Sequence, residues 1–152
     1  MPSIYSTVAS TAARNHVVFY NTNGQVGSIS TSGTATTYST TSDETLKEFG
    51  EKYDVNKSIE LIKADPVRNY TWKKSGEKSY GWGAQTSYAL APELAVKGGW
   101  YLDDKEVPAD TDGATYIAWG IDYAKRVPHL WNVVAYLLDE IEHIKNNQHK
   151  PI

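Results

Sequence analysis

Val127-Pro128-His129-Leu130-Trp131-Asn132-Val133-Val134-Ala135-Tyr136-Leu137-Leu138-Asp139-Glu140-Ile141-Glu142-His143-Ile144-Lys145 is the most periodic stretch of this chain. Val127, Leu130, Val134, Leu137, Ile141 and Ile144 follow a 3-4-3-4-3 spacing, the a/d pattern of a coiled-coil seam. Pro128 fits a first helical turn, where its missing N–H costs nothing. Asp139, Glu140, Glu142 and Lys145 suit a solvated face. Val133 and Leu138 widen the apolar side, which a helix packed on its own domain also shows. Branched residues at both a and d positions favour more than two strands, so a trimer is the expected assembly.

Upstream of this helix the chain reads as two parts of different kind. Residues 1–41 are rich in Ser, Thr, Gly and Asn and hold one formal charge, Arg14. His16-Val17-Val18-Phe19-Tyr20 is a strand candidate, and Asn21-Thr22-Asn23-Gly24 is a turn signal. Gln25 to Ser30 gives a second short strand pattern, and Thr31 to Thr41 is almost pure Ser and Thr. Such a segment buries little apolar surface alone. Composition favours a flexible linker; the sharper reading is that its short strands intertwine with identical copies, which supply the missing core.

From Ser42 onward a small mixed domain is expected. Asp43 caps a helix running through Leu46 and Phe49. A second helix covers Val55 to Ala64 and stops at Pro66. Val67 to Lys73 and Ser79 to Ala84 form a hairpin about a turn at Ser75 to Lys78. A short helix follows around Ser87 to Leu94. Trp100 to Leu102 and Thr115 to Trp119 read as strands, with Asp103 to Gly113 as a polar loop. The fold class is α+β: a short β-rich stalk segment, intertwined in a trimer, then a mixed domain ending in a long coiled-coil-like helix.

Charge and composition narrow the function. The net charge is −3, and Lys and Arg are interspersed with acids, which argues against nucleic acid as the main ligand. Cysteine is absent, so disulfides and thiolate metal sites are excluded. His16, His129, His143 and His149 are widely separated and show no metal-ligand spacing. No metal and no cofactor is expected. No apolar run is long enough for a membrane span. Tyr, with 11 copies, and Trp, with 5, far outnumber the 2 Phe, which suits half-buried and interface positions.

Four segments, in order, resemble one family. Thr41-Ser42-Asp43-Glu44-Thr45-Leu46-Lys47 is similar to the Ser-Asp-x-x-Leu-Lys junction of the endosialidase-type intramolecular chaperones of phage tail spikes, tail fibres and neck appendages. Tyr80-Gly81-Trp82-Gly83-Ala84-Gln85 resembles the family's Gly-Phe-Ile-Ala-Gln segment. Gly120 to Pro128 resembles its (Val/Leu)-Asp-Tyr-x-x-Leu-(Ile/Val)-Pro lead into the terminal helix. Asn23 to Ile29 looks like the end of a fibre stalk. Thr45 departs from the family's frequent Arg, Thr86 from an acidic residue, and Trp82 and Gly83 from Phe and Ile.

The resemblance implies that residues 1–41 are the end of a fibre stalk and residues 42–152 an intramolecular chaperone. The chaperone would form a homotrimer, template the stalk of its own chain, and then cut itself off at Thr41–Ser42. Ser42 would be the nucleophile and Lys47 the general base of a single-turnover serine auto-endopeptidase. A serine hydroxyl needs a base to become nucleophilic, and lysine serves when burial or nearby positive charge favours its neutral form. Amides at a helix start beside Ser42 would help stabilise the oxyanion. Assembly would occur in the host cytoplasm, the stalk would stay in the virion tail, and the chaperone would be released. Neither nucleic acid nor membrane is an expected partner. Two alternatives stand beside this reading: a trimerisation cap that never cleaves, and a host-surface saccharide-binding module built on the exposed Tyr and Trp.

Overall fold

The computed structural model describes residues 6–148, so His149 lies outside the described residues. The fold is α+β, and the chain divides into two compact units, Met1–Glu51 and Lys52–Ile152.

The first unit is an antiparallel meander of β1 (Arg14–Asn21), β2 (Gly24–Ser32) and β3 (Ala35–Thr40), in the order β1-β2-β3. The expected turn forms: Gly24 sits at φ +93°, and Asn21 Oδ1 accepts from the Asn23 amide at 2.8 Å. β3 was not expected from the Ser/Thr run. Its threonines are β-branched and strand-compatible, and the free edge of β2 offers their backbone a complete ladder from Ser32↔Ala35 to Gly27↔Thr40. A hydroxyl pair, Ser28 and Ser39 at 2.9 Å, ties the strands on one face.

On the opposite face the register brings Val17, Ile29 and Tyr38 into one cross-strand row, with Phe19 beside Gly27. Gly27 is obligatory there, because a Cβ would come within 2.8 Å of the Ser39 carbonyl oxygen. Val17, Phe19 and Tyr38 are all exposed. Backbone pairing therefore gives this unit its shape within one chain, while most of its apolar row stays exposed.

In the second unit, α1 (Val55–Ala64) has the bounds its pattern predicts. Asp54 caps it by accepting from the Asn56 amide at 2.9 Å. β4 (Arg68–Thr71) and β5 (Lys78–Gly81) form the expected hairpin. α2 (Ala84–Leu90) begins earlier than the expected Ser87 and stops at Ala91, because Pro92 excludes helical backbone before it and opens a separate 3₁₀ turn, Pro92–Leu94. β6 (Ala95–Val96), β7 (Gly99–Leu102), β8 (Lys105–Glu106), β9 (Thr115–Ile117) and β10 (Gly120–Ile121) follow. β7 is flanked by β8 and β9, and β6 pairs with β10. The expected polar loop thus contains a tight hairpin, its turn made by Asp103 and Asp104 at φ 49° and 61°. α3 (Arg126–Gln148) closes the unit. Asp122 caps the turn that leads into it, with Oδ1 accepting from the amides of Ala124 at 3.0 Å and Lys125 at 3.3 Å.

Polar contacts organise much of this unit. Ser58 of α1 is fully buried, and its Oγ lies 3.1 Å from His129 Nδ1 and 3.1 Å from Asn132 Nδ2 of α3. Asp65 Oδ2 accepts from Arg126 Nη2 at 3.0 Å and from Ser87 Oγ at 2.7 Å. Arg126 also lies 4.1 Å over the Trp82 ring, whose Nε1 donates to the Asp65 carbonyl at 2.8 Å. The Arg126 and Asp65 side chains are only 11% and 4% exposed. One cluster therefore joins the ends of α1 and β5, the middle of α2 and the first residue of α3. Arg126→Ala leaves the buried Asp65 carboxylate without its cation, and a loss of about 3–5 kcal/mol is expected. The check is the urea midpoint, which should fall with an unchanged m-value. Arg126→Lys should recover little, since an ammonium supplies neither the guanidinium fork nor its stacking.

Candidate functional site

The junction residues all fall in the first unit. Thr41 continues the β2–β3 ladder one step past β3: its amide donates to the Val26 carbonyl at 3.1 Å. Its Oγ1 donates to the Gln25 carbonyl at 2.9 Å. The residue on the acyl side of the Thr41–Ser42 bond is thus held to β2 by backbone and side chain together.

Beyond Ser42 comes a correction to the expected helix. Asp43 does act as a cap, but it opens a single 3₁₀ turn, Glu44–Leu46, and not a helix reaching Phe49. Leu46 and Phe49 are exposed, so no buried face stabilises further turns. Asp43 Oδ1 accepts from the Thr45 amide at 2.8 Å and from Thr45 Oγ1 at 2.7 Å. Lys47 leaves the turn in extended conformation, φ −136° and ψ 147°.

The short turn sets the geometry of the pair. Lys47 Nζ lies 2.6 Å from Ser42 Oγ, the distance of a short charge-assisted hydrogen bond. On a continuous α-helix, residues five apart would be about 140° apart around the axis. Stopping after one turn and extending at Lys47 lets the side chain fold back. Ser42 and Lys47 sit beside a surface depression of about 310 Å³ lined by Gln25, Val26, Thr41, Asp43, Leu46 and Lys47.

Three of the amides beside Ser42 have partners within the turn. The amides of Thr45, Leu46 and Lys47 are already engaged, by the Asp43 carboxylate, the Asp43 carbonyl and the Glu44 carbonyl. Those three amides are not free to stabilise charge on a Thr41 carbonyl oxygen.

Both Ser42 and Lys47 are exposed in the single chain. Water favours the ammonium form of a lysine, which donates to the hydroxyl, whereas burial favours the neutral amine, which can take its proton. The arrangement supplies the distance for a serine–lysine pair, with both side chains open to solvent.

Hydrogen bonds from the Thr45 hydroxyl, then from its amide, hold the Asp43 carboxyl below the ordinary aspartate range, with a smaller contribution from the nearby Lys47 charge. A group whose folded value is lowered contributes fully above its unfolded value, about 3.9, and loses that contribution as the pH falls through the lowered one. The cap should therefore be intact near neutrality and open only in acid. An NMR titration of the Thr45 amide should show a midpoint below about 3.9; a midpoint at or above it would mean the cap is not formed.

The six seam residues lie on α3, in the second unit, each between 46% and 57% exposed. Gln85 and Thr86 also belong to that unit, in the first turn of α2. They border a concavity of about 610 Å³ where Tyr70, Trp72, Trp82 and Trp119 gather. Sequence reasoning missed the Asp65–Ser87–Arg126 cluster, whose members are far apart in the chain and follow no periodicity. Among the described residues no cluster of three or more His, Asp or Glu could hold a metal ion, and no helix is long and apolar enough to cross a membrane. A scan of known protein-family models finds no match to this chain, and a search of curated proteins finds none.

Proposed function

We propose that this chain is the C-terminal end of a trimeric phage fibre, in which residues 42–152 serve as an intramolecular chaperone that releases itself at Thr41–Ser42. The observation that carries the reading is the 2.6 Å contact between Lys47 Nζ and Ser42 Oγ. The gripping of Thr41 by β2 supports it, because that fixes the residue whose carbonyl the hydroxyl must reach. Ser42 Oγ attacks the Thr41 carbonyl carbon while Lys47 accepts the hydroxyl proton, and nucleophile and acyl group are neighbours in one chain, so no separate substrate site is needed.

Self-association is supported by how little apolar surface one copy buries. Leu94, Ala84 and Ala95 are the buried apolar side chains among the described residues, while α3 carries a continuous exposed stripe from Val127 to Ile144. Three helices joined along that stripe would raise the local concentration of three stalk ends. Cutting afterward would remove the chaperone from the product, leaving the stalk kinetically trapped.

The test is intact mass spectrometry of the freshly made chain. A fragment beginning at Ser42 is the expected product. An uncut chain that nevertheless sediments as a trimer would replace this reading with that of a permanent trimerisation cap.

A further inference from the structure

We propose that each copy of the second unit inserts Trp131 into a pocket of the next copy, against Arg126, so that three insertions close the trimer as a ring. The proposal rests on the trimer reading and names the contact that fixes its geometry. A pocket of about 230 Å³ lies where the end of α1 meets the start of α3, with Leu61, Ile62, Val67, Leu94, Arg126 and Leu130 among its lining residues. That is room for one aromatic side chain.

Two features of the single chain lack a counterpart. Arg126 Nε is buried and has no hydrogen-bond partner among the described residues. For the N–H of a charged guanidinium this is a cost that calls for an explanation. The other is Trp131, 77% exposed and the most exposed large apolar side chain of α3. Trp and Arg are the types most enriched among interface anchors, and such anchors fill pockets.

The helix repeat places these two on opposite flanks of the same stripe. With Val127 and Leu130 at a and d, Arg126 falls at g and Trp131 at e. α1 takes the c and f side of α3, where His129 and Asn132 meet Ser58. Val127, Leu130 and Trp131 are left exposed. In a cyclic trimer the three α3 helices run parallel, and a g position faces the e position five residues on in the neighbouring helix. Trp131 stands five residues beyond Arg126. The indole of one copy therefore meets the flank of the next that carries the pocket. Leu130 belongs to both the stripe and the pocket lining.

The chemistry of the two sides matches. One face of the Arg126 guanidinium already lies 4.1 Å over the Trp82 ring. An incoming indole offers its apolar body to Leu61, Ile62 and Val67, and its π face to the unpartnered Nε–H. An aliphatic side chain would fill the space and leave that N–H unanswered. Each copy gives one indole and receives one, a head-to-tail contact that closes after three steps. Because Arg126 also holds Asp65 and Ser87, the contact ties assembly to the interior of each unit.

A photoreactive aromatic in place of the indole tests the contact in the full chain. With Trp131→p-benzoylphenylalanine added to Ser42→Ala, irradiation should join neighbouring chains, and the attached peptide should map to residues 61–67 or 126–130. Interchain adducts confined to residues 134–144, or none in a chain that sediments as a trimer, would overturn the pocket and leave the stripe as the seam. Sedimentation supplies the second readout. Trp131→Ala should raise the trimer dissociation constant at least about tenfold, while circular dichroism at the same concentration stays unchanged, as an exposed position predicts. A Trp131→Ala chain as tightly trimeric as its parent would overturn the proposal. A parent chain that is monomeric at every concentration would instead remove the trimer reading, and this contact with it.

Discussion

Lys47→Arg is expected to leave the chain as uncut as Ser42→Ala, with cleavage down by at least about a thousandfold in both. The two variants fail for different reasons. Ser42→Ala removes the hydroxyl that attacks the Thr41 carbonyl carbon. Lys47→Arg keeps the positive charge and much of the reach, but a guanidinium stays protonated at any pH the fold would survive, so it cannot accept the hydroxyl proton. If Lys47 only steadied Ser42 Oγ by donating a hydrogen bond, arginine would substitute well and cleavage would persist. The comparison therefore separates a base from a positioning cation. Lys47→Ala, which loses both roles, sets the floor. The measurement is the rate at which the Ser42 fragment appears in freshly synthesised chain, quenched and weighed over time. Unchanged cleavage in Lys47→Arg would remove the general base from the proposal while leaving the bond and the nucleophile in place.

How much of this was legible beforehand depends on the kind of signal. α1 and α3 were readable because each carries a repeating apolar pattern and a stop or start that local chemistry enforces: Pro66 after α1, and Asp122 ahead of Pro128 for α3. The β4–β5 hairpin was readable from alternation about a Gly-containing turn. β3 was not, since a Ser/Thr run has strand-compatible backbones but no apolar alternation. It becomes a strand because β2 presents an unpaired edge.

The junction shows the same division. Which residues would form the site came from the Ser-Asp-x-x-Leu-Lys resemblance, and the capping role of Asp43 from its residue type. The length of the following helix could not be read locally. Propensity allows it to continue through Phe49, but Leu46 and Phe49 find nothing to pack against, so one turn is all that persists. That early stop returns Lys47 to Ser42. A longer helix would have carried the base away.

Placing two charges on the α3 seam, Val134→Asp with Leu137→Asp, is expected to turn the trimer proposed above into a monomer. Val134 and Leu137 are neighbours on the stripe and about half exposed in one copy. Removing the remaining exposed apolar surface of such a residue from water is worth about 1 kcal/mol. Six seam positions on each of three helices then supply enough to offset the entropy of assembly, and a carboxylate at two of them reverses the sign locally, because six like charges would meet in a dry interface. The secondary structure of the second unit should change little, since its Asp65, Ser87 and Arg126 cluster lies away from these positions in the chain. Analytical ultracentrifugation reads the assembly state, and circular dichroism at the same concentration guards against simple unfolding. Surface changes of the same charge, Asn146→Asp with Asn147→Asp, should leave the trimer intact. Cleavage supplies the second readout. If neighbouring copies must cover the Ser42–Lys47 pair for it to act, the monomeric variant should cut far more slowly than wild type. A folded monomer that cuts at the wild-type rate would detach the chemistry from assembly, and a seam variant that remains trimeric would move the interface off α3.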